Sequence, residues 1–518
     1  MKILNKISGL GLILASLLIM TGCTAKLDEL PLNQNFAGGT DFTRTEDMKL
    51  SIIGVYAAFQ SRGWEQPLLI AVRGDDVNAG GLGDQQEFAD TDRFIYNKDY
   101  WMYNSLWENV YVDVISAHTA MEQIERYQEY ANEAGFQQGN QYIAEAKVLR
   151  AMMLLHISQV WGSVFIPESS DTEALLEVET LPTQEEVMQH ISDQMDEAIP
   201  NLPDMRPNQR TDIPGGVTKY TALAIKALAN QELDTPAGYQ AAADAAGEII
   251  NSGLFSLFPD FYELFKTPGK LSDEILLTLQ YSDFGAGEGD REIHLTQPYG
   301  PVNWTPAVAG AGSGWGFFEP SLKFIGFMLD REETVRLETS VLFTNRGIAD
   351  IRAEGYTNLP AFVSNTTRDG DIINDYERAR FASGKHYMPS NQLIAGRTEY
   401  GSNKNYHIIR YAEILLVYAE AIEHGASPSG MSSEDAVNLV RDRAGLEPLT
   451  TVTLEDVLDE KFAELAMEWG KRYYDMIRLE RTGELSYDGR TFTMDKEFLP
   501  YPQPQVDQFP VLRTTTNN

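Results

Sequence analysis

The chain has little cysteine and few basic residues. Its 518 residues include a single cysteine, Cys23, so no disulfide bond can form within it. Lysine and arginine number 41 against 76 aspartates and glutamates, which gives a formal net charge of −35 at pH 7. A surface this acidic repels a phosphate backbone, and the composition therefore argues against nucleic acid as a partner.

Long apolar runs and familiar catalytic motifs are also missing. Beyond Cys23, no stretch reaches the roughly 18 uninterrupted apolar residues of a membrane-spanning helix. There is no G-x-S-x-G, H-E-x-x-H or P-loop pattern, and the seven histidines are scattered. These absences argue against the enzyme classes that carry such motifs, and we expect that the chain is not an enzyme. A glycoside hydrolase stays open as an alternative, because some of the 76 carboxylates will lie at the required separation by chance.

The one long apolar run lies at the N-terminus. Two lysines precede Leu10–Met20, a run with the length of a signal-peptide core. The residues that follow, Thr21 to Cys23, are similar to a bacterial lipobox, with methionine where leucine is more usual. The pattern predicts a lipoprotein signal peptide over 1–22 and lipidation of Cys23. The polar residues 23–41 are expected to form a lipidated tether.

Apolar periodicity at three- and four-residue steps predicts a mainly α-helical chain. Residues 42–252 are expected to form an N-terminal helical region and 406–518 a C-terminal one. Between them, 253–405 loses periodicity, which favours long irregular loops and a few short strands. Alanine-rich helix pairs at 217–251 and 408–445 resemble tetratricopeptide hairpins, which stack into a scaffold.

Individual elements can also be predicted. Helices are expected over Glu46–Gln60, over Gln141–Trp161 and, as one long final helix, over Leu454–Met476. A capping box at Thr183 indicates where another helix begins. The residues Ile275–Leu279 are predicted to form a short strand.

Several motifs occur in the order typical of one known family. They are LDELP (27–31), WENVY (107–111), AEAKVLRA (144–151), RYAEILL (410–416), VRDRAGL (440–446), EWGKRYYD (468–475) and FLPYPQ (498–503). Through them the chain resembles, from end to end, the SusD/RagB family of outer-membrane lipoproteins from Bacteroidetes. Lys147 stands where the family usually has arginine.

The resemblance implies tetratricopeptide-type helices that support a variable looped face, and it makes the loops and short strands of 253–405 the ligand-binding region. It also implies a cell-surface location with a lipid anchor in the outer membrane, where such proteins cap a TonB-dependent transporter of the SusC type. They bind glycan, usually oligosaccharide, and help deliver it to that transporter. A minority of the family handles peptides, so a peptide ligand stays open. The negative charge of the chain favours a neutral glycan.

Tryptophans are divided between the core and the face. A sugar ring offers flat C–H faces to aromatic side chains and hydroxyl groups to polar ones. Trp107, Trp161 and Trp469 belong to apolar helical segments and are expected to pack in the core.

Trp304 is the first choice as a sugar platform, with Tyr299 and Asn303 near it in the sequence. The further candidates are Trp315, Trp64 and Trp101, in that order. Trp315 has an alternative role, since Gly-Trp-Gly also resembles a family turn that packs beneath the face.

Carboxylates in two loops require a separate interpretation. Asp75, Asp76 and Asn78 would bind sugar hydroxyls or calcium, but such loops more often hydrogen-bond their own backbone. Three further carboxylates, of Asp369, Asp371 and Asp375, suggest a structural calcium ion. Their spacing does not match the full pattern of a known calcium-binding loop. No other metal or cofactor is expected. Charged residues amid the C-terminal helices are predicted to form buried structural ion pairs; they are Arg441, Arg443, Glu468, Arg472 and Asp475.

Overall fold

The computed structural model describes residues 40–60, 72–79, 85–281, 296–377, 379–393 and 404–515. Helix dominates them, as predicted. The helices are α1 (Met48–Gln60), α2 (Gln86–Asp92), α3 (Trp101–Gln128), α4 (Glu133–Trp161), α5 (Gln184–Ala198), α6 (Lys219–Glu232), α7 (Pro236–Asn251), α8 (Phe261–Leu264), α9 (Thr296–Tyr299), α10 (Leu322–Asp330), α11 (Val335–Ser340), α12 (Asn345–Ala353), α13 (Tyr411–Glu423), α14 (Ser433–Arg443), α15 (Leu454–Leu465), α16 (Lys471–Arg478) and α17 (Gln503–Gln508).

Consecutive long helices pack against each other and form the scaffold. Helix α3 contacts α1 and α4, and the series continues through α5, α6 and α7. Helix α7 then packs against α13, which also contacts α14 and α15. The two predicted hairpins are therefore neighbours in space, which confirms the mainly helical, tetratricopeptide-like fold class. Within the described residues, no helix combines the length and apolar character needed to cross a bilayer.

Local sequence signals explain where several helices begin. Helix α5 starts with the predicted capping box, in which the Thr183 side chain and the third-residue glutamate satisfy each other's backbone N–H groups. Helix α4 begins eight residues earlier than predicted, because the Asn132 side chain caps it by accepting from the Gly135 N–H group.

The final helix is not continuous, and this prediction was wrong. Helices α15 and α16 are separated by a bend in which Met467 and Trp469 both have positive φ angles, of 63° and 54°. Buried side chains bind the backbone of this bend. The Lys385 ammonium donates to the carbonyls of Glu464 and Ala466, and the Asp76 carboxylate accepts from the Met467 N–H group at 2.5 Å. These contacts come from distant segments, which helical periodicity does not reveal.

Short antiparallel strand pairs connect the three regions of the chain. The strands are β1 (Val77–Ala79), β2 (Ile275–Leu279), β3 (Trp304–Thr305), β4 (Phe318–Pro320), β5 (Val341–Phe343), β6 (Ile372–Ile373), β7 (Phe381–Ser383) and β8 (Tyr406–Arg410). They pair as β1 with β4, β2 with β8, β3 with β6, and β5 with β7. The first pair joins the N-terminal region to the middle one, and the second joins the middle region to the C-terminal one.

The predicted ion pairs are present beneath the loops. Glu468 and Arg443 belong to a buried cluster around Arg410, while Arg441 pairs with Glu460 at 3.2 Å. Arg472 binds Asp75 at 2.7 Å. Asp475 accepts from Lys461 and Arg478, each at 2.8 Å or less. These charges serve the packing of helices, as expected.

Candidate functional site

Trp315 is held by backbone contacts between two segments of the middle region. The N–H groups of Gly314, Gly316 and Phe317 donate to the carbonyls of Pro301, Gly300 and Pro298, at 2.9, 3.1 and 2.8 Å. The Trp315 ring projects from this ladder and is half-buried. The predicted turn therefore exists, and it leaves part of the ring accessible.

The two glycines around Trp315 are needed for this arrangement. A Cβ atom at Gly314 would lie 2.6 Å from the carbonyl carbon of Gly300, too close for any side chain. Gly316 has a φ of +61°, in the left-handed region that favours glycine. The sequence Gly-Trp-Gly thus fixes where the indole ring emerges.

Trp101 supplies the second accessible ring. It is the first residue of α3 and its side chain is 43% exposed. The Trp101 ring makes a T-shaped contact with Phe88, with centroids 6.2 Å apart and an interplanar angle of 75°. Because almost half of the residue is exposed, part of the indole is accessible to a ligand.

The ring contacts of the two tryptophans lead to two consecutive residues, Phe317 and Phe318. Phe88, which contacts Trp101, packs on Phe318 at 5.5 Å, and Trp315 packs on Phe317 at 5.7 Å. We call these five residues, Phe88, Trp101, Trp315, Phe317 and Phe318, the aromatic face. The three phenylalanines are buried and support the tryptophans from below. Sequence reasoning missed them, although the Gly-Phe-Phe run directly after Trp315 was a usable signal.

Two predicted polar residues lie on elements next to the aromatic face. Asn78 is half-buried on β1, opposite Glu319 of β4. Its Oδ1 atom accepts from Tyr487 and Arg490 at 2.8 and 2.9 Å. Asn303 is exposed, and its Nδ2 atom donates to the Asp375 carbonyl at 2.9 Å. A contact of either amide with a ligand stays a prediction.

Trp304 lies in the core rather than on the surface, which corrects its place as first choice. Its side chain is 8% exposed and clusters with Leu342, Ile373 and Tyr387. The indole N–H group donates to the Gly312 carbonyl at 3.1 Å. The pairing of β3 with β6 draws Trp304 inward, and no open face is left for a sugar.

Replacing Trp304 with alanine is expected to destabilise the fold and leave binding unchanged. Loss of a buried tryptophan should lower the free energy of unfolding by about 3–5 kcal/mol, because the cluster loses contacts and a cavity remains. Urea denaturation measures this loss, and glycan affinity of the folded variant should stay within a factor of about three. Trp304→Phe, which keeps most of the ring, should recover most of the stability. A loss of affinity with stability intact would instead restore Trp304 as a platform.

Tyr299 is buried as well, so its prediction as a ligand contact was wrong. Its ring is fully buried, stacked on His386 at 4.2 Å and packed on Phe318 at 5.0 Å. Tyr299 therefore supports the aromatic face from inside and has no surface for a ligand.

Asp75 and Asp76 are structural as well, which corrects their prediction as ligand contacts. Both are buried. Burial opposes ionisation of Asp75, but the adjacent Arg472 and Lys323 charges hold its pKa below the usual range. Burial raises the pKa of Asp76 to about 7, and the hydrogen bond from the Met467 N–H group and the Arg472 charge only partly oppose this rise. These carboxylates organise the loop before β1 and bind the bend before α16.

The remaining predicted residues form two groups: two lie outside the described part of the chain, and the three calcium candidates bind protein donors. Trp64 and Cys23 fall outside the described part of the chain. The three carboxylates suggested for calcium accept hydrogen bonds from separate protein donors: Asp369 from Tyr262 and Asn391, Asp371 from Tyr387 and Ser390, and Asp375 from the Arg346 N–H group. Among the described residues, no three histidine, cysteine, aspartate or glutamate side chains converge on a metal position.

An apolar cavity lies apart from the aromatic face. It has a volume of about 510 Å³ and is bounded by α3, the loop after α4 and α17. Its aromatic rings pack on one another: Trp107 on Tyr111 at 5.0 Å, and Phe165 on Phe509 at 5.1 Å. Because these four rings are buried, the cavity offers a sugar no open ring face. The aromatic face remains the better candidate for glycan.

Two family models match the chain. The SusD family model matches residues 273–513, and a model described as starch-binding associating with outer membrane matches residues 44–227. The chain is also similar to the SusD-like protein P2 of Formosa agariphila, with 26% identity over 497 residues that cover 90% of each chain.

Solved structures share the fold. Surface glycan-binding protein A from Bacteroides thetaiotaomicron, in complex with laminarihexaose, is 22% identical with a TM-score of 0.71, covering 89% of this chain and 97% of that one. A laminarin binding SusD-like protein is 21% identical with a TM-score of 0.72, covering 90% and 97%. At these identities the likeness concerns the fold alone.

Proposed function

Because the chain belongs to the SusD/RagB family, we propose that it is a cell-surface glycan-binding protein whose aromatic face holds the glycan. The observation that carries the proposal is the pair of accessible indoles: the exposed Trp101, which packs on Phe88, and the half-buried Trp315, which packs on Phe317. Accessible indole rings suit stacking against the C–H faces of sugar rings.

The proposed ligand is a neutral oligosaccharide, with laminarin-type glucans as the first to test. Two proteins of the same fold are named for laminarin or laminarihexaose, which supports this choice. The formal charge of −35 argues in the same direction, since it disfavours polymers of uronic acids. Asn78 and Asn303 are the proposed partners of the sugar hydroxyl groups.

An affinity-gel panel on residues 24–518 tests the ligand class. Laminarin and starch should retard the protein, and alginate, a polymer of uronic acids, should not. Retardation on alginate alone would overturn the proposal of a neutral ligand. Retention of peptides without any glycan would favour the peptide-binding alternative. Release of new reducing ends from laminarin would favour the hydrolase, whereas the proposal involves no catalysis.

We further propose that the protein acts beside a SusC-like TonB-dependent transporter in the outer membrane and passes oligosaccharide to it. The lipobox-like residues before Cys23 support a lipid anchor. Each buried CH₂ group of an acyl chain contributes about 0.8 kcal/mol, so several chains hold a protein on a membrane. Co-purification of such a transporter with the membrane-bound protein tests the partnership.

Replacing Cys23 with alanine is expected to abolish lipidation and release the protein from the membrane fraction. Because Cys23 is the only cysteine, no other thiol substitutes for it. Labelled palmitate should be incorporated by the natural protein and not by Cys23→Ala. Label that persists on the variant would contradict the predicted processing site. Laminarin retention should be unchanged, since the anchor precedes the scaffold.

A further inference from the structure

A second, polar pocket lies in the middle region, apart from the aromatic face. It has a volume of about 150 Å³, and its lining includes Tyr262, Glu338, Phe362, Ser364, Thr366 and Arg368 together with strand β5. Leu342 of β5 belongs to the cluster around Trp304.

The wall formed by β5 presents unpaired backbone groups. Strand β5 pairs Val341 with Ser383 and Phe343 with Phe381 of β7. The hydrogen bonds lie beside these pairs: Gly384 N–H donates to the Ser340 carbonyl, and Thr344 N–H donates to the Arg380 carbonyl. Both are therefore non-hydrogen-bonded pairs, whose residues point their backbone N–H and C=O groups away from the partner strand. The Val341 carbonyl and both backbone groups of Phe343 have no hydrogen-bond partner among the described residues. They supply two acceptors and one donor along a single edge.

Side chains add further open hydrogen-bonding groups. Glu338 is half-buried, and its carboxylate accepts no hydrogen bond and forms no ion pair within 4 Å among the described residues. Partial burial raises its pKa, and the Arg368 charge offsets only part of that rise. Thr366 is exposed with a free hydroxyl, and Ser364 accepts from the Thr366 N–H group at 3.1 Å, which leaves its own O–H available.

The charges in the pocket select against an anion. The Arg368 guanidinium is already paired with Asp260, at 2.8 and 3.3 Å, and lies 5.0 Å above the Tyr262 ring. The single positive charge of Arg368 acts on both Asp260 and Glu338, so the two carboxylates leave excess negative charge in the pocket. A carboxylated or phosphorylated ligand would be repelled.

We propose that this pocket is a second subsite that binds one neutral sugar residue. The proposal rests on the glycan-binding function proposed above. Sugar hydroxyls both donate and accept, which matches a wall that alternates carbonyl, N–H, carboxylate and hydroxyl groups. The half-buried Phe362 supplies an apolar surface for the C–H groups of a ring. The volume is about ten times the roughly 10–15 Å³ that one water molecule needs, enough for a single ring.

Saturation-transfer NMR with D-glucose on residues 24–518 tests the subsite. The double variant Trp101→Ala, Trp315→Ala removes the aromatic face, and the glucose signal should persist in it. Adding Thr366→Trp, which fills the pocket mouth from an exposed position, should reduce that signal at least fivefold. Glu338→Gln, which keeps the shape, should also weaken it. Glu129→Trp, an exposed position at the end of α3, controls for the added indole.

The outcomes separate this inference from the proposed function. A glucose signal lost in the double variant would overturn the second subsite and leave glycan binding at the aromatic face intact. A signal that survives Thr366→Trp would also overturn it. A saturation-transfer signal from alanyl-alanine, with none from glucose, would show that the β5 edge binds peptide and would overturn the proposal of a sugar subsite. No response of the natural protein to glucose or laminarin would overturn both proposals.

Discussion

Laminarihexaose affinity is expected to fall at least about 100-fold when Trp101 and Trp315 are both replaced by alanine. A central tryptophan in a binding surface contributes about 2 kcal/mol or more, and each 1.4 kcal/mol corresponds to a factor of ten in Kd. Each single variant should lose about tenfold or more. The two losses should add if successive sugar rings stack on the two indoles separately. Isothermal titration calorimetry on residues 24–518 measures all three variants.

The fold should tolerate these changes, which makes the experiment informative. Trp101 is 43% exposed, so its loss removes less packing than the loss of a buried tryptophan would. A matched control is Tyr130→Ala with Phe136→Ala, two aromatics that are 58% and 42% exposed. They follow the far end of α3, whose 28 residues span about 42 Å from Trp101. If the natural protein binds laminarihexaose and the tryptophan double variant binds it with unchanged affinity, the aromatic face is not the glycan-binding site.

Helices and core tryptophans were predictable because both depend on neighbours close in sequence. Trp107 and Trp161 lie on apolar helical stripes, and the structure buries them to 2% and 0% exposure. The capping box at Thr183 needs only residues three positions apart. Where a structure follows from spacing along one element, the sequence contains enough information to predict it.

The candidate site was only partly predictable, because burial in the loops depends on distant pairing. Trp304 has no apolar periodicity around it, yet it pairs with Ile373, which is far along the chain, and becomes core. Trp101, at the start of a predicted helix, was the last choice, but the first position of α3 lies at the surface. Asp75 likewise depends on Arg472, almost 400 residues later. A single sequence does not reveal such contacts.

A methionine in place of Arg410 is expected to cost about 3–5 kcal/mol of the free energy of unfolding at pH 7. Arg410 is 1% exposed and binds Glu274, Glu464 and Glu468 at 2.7–2.9 Å. Removing it leaves three buried carboxylates with fewer positive partners, a far larger penalty than the loss of an exposed pair. Arg380→Met, which breaks an exposed pair with Asp350, should cost at most about 1 kcal/mol. Urea denaturation of both variants provides the comparison.

The dependence of this loss on pH identifies its electrostatic origin. Burial alone would raise the pKa values of Glu464 and Glu468. Arg443 and Arg410 instead hold the pKa of Glu464 below the usual range. Arg410 and Lys385 do the same for Glu468. Carboxylates with depressed folded pKa values stabilise the fold above their unfolded pKa, about 4.3, and lose that contribution as the pH falls further. In Arg410→Met both pKa values should rise, so these carboxylates take up protons earlier. The stability difference from the natural protein should therefore be largest near pH 7 and shrink below about pH 4.5. A difference that stays constant from pH 7 to pH 4 would mean that lost packing, rather than unpaired charge, causes the destabilisation.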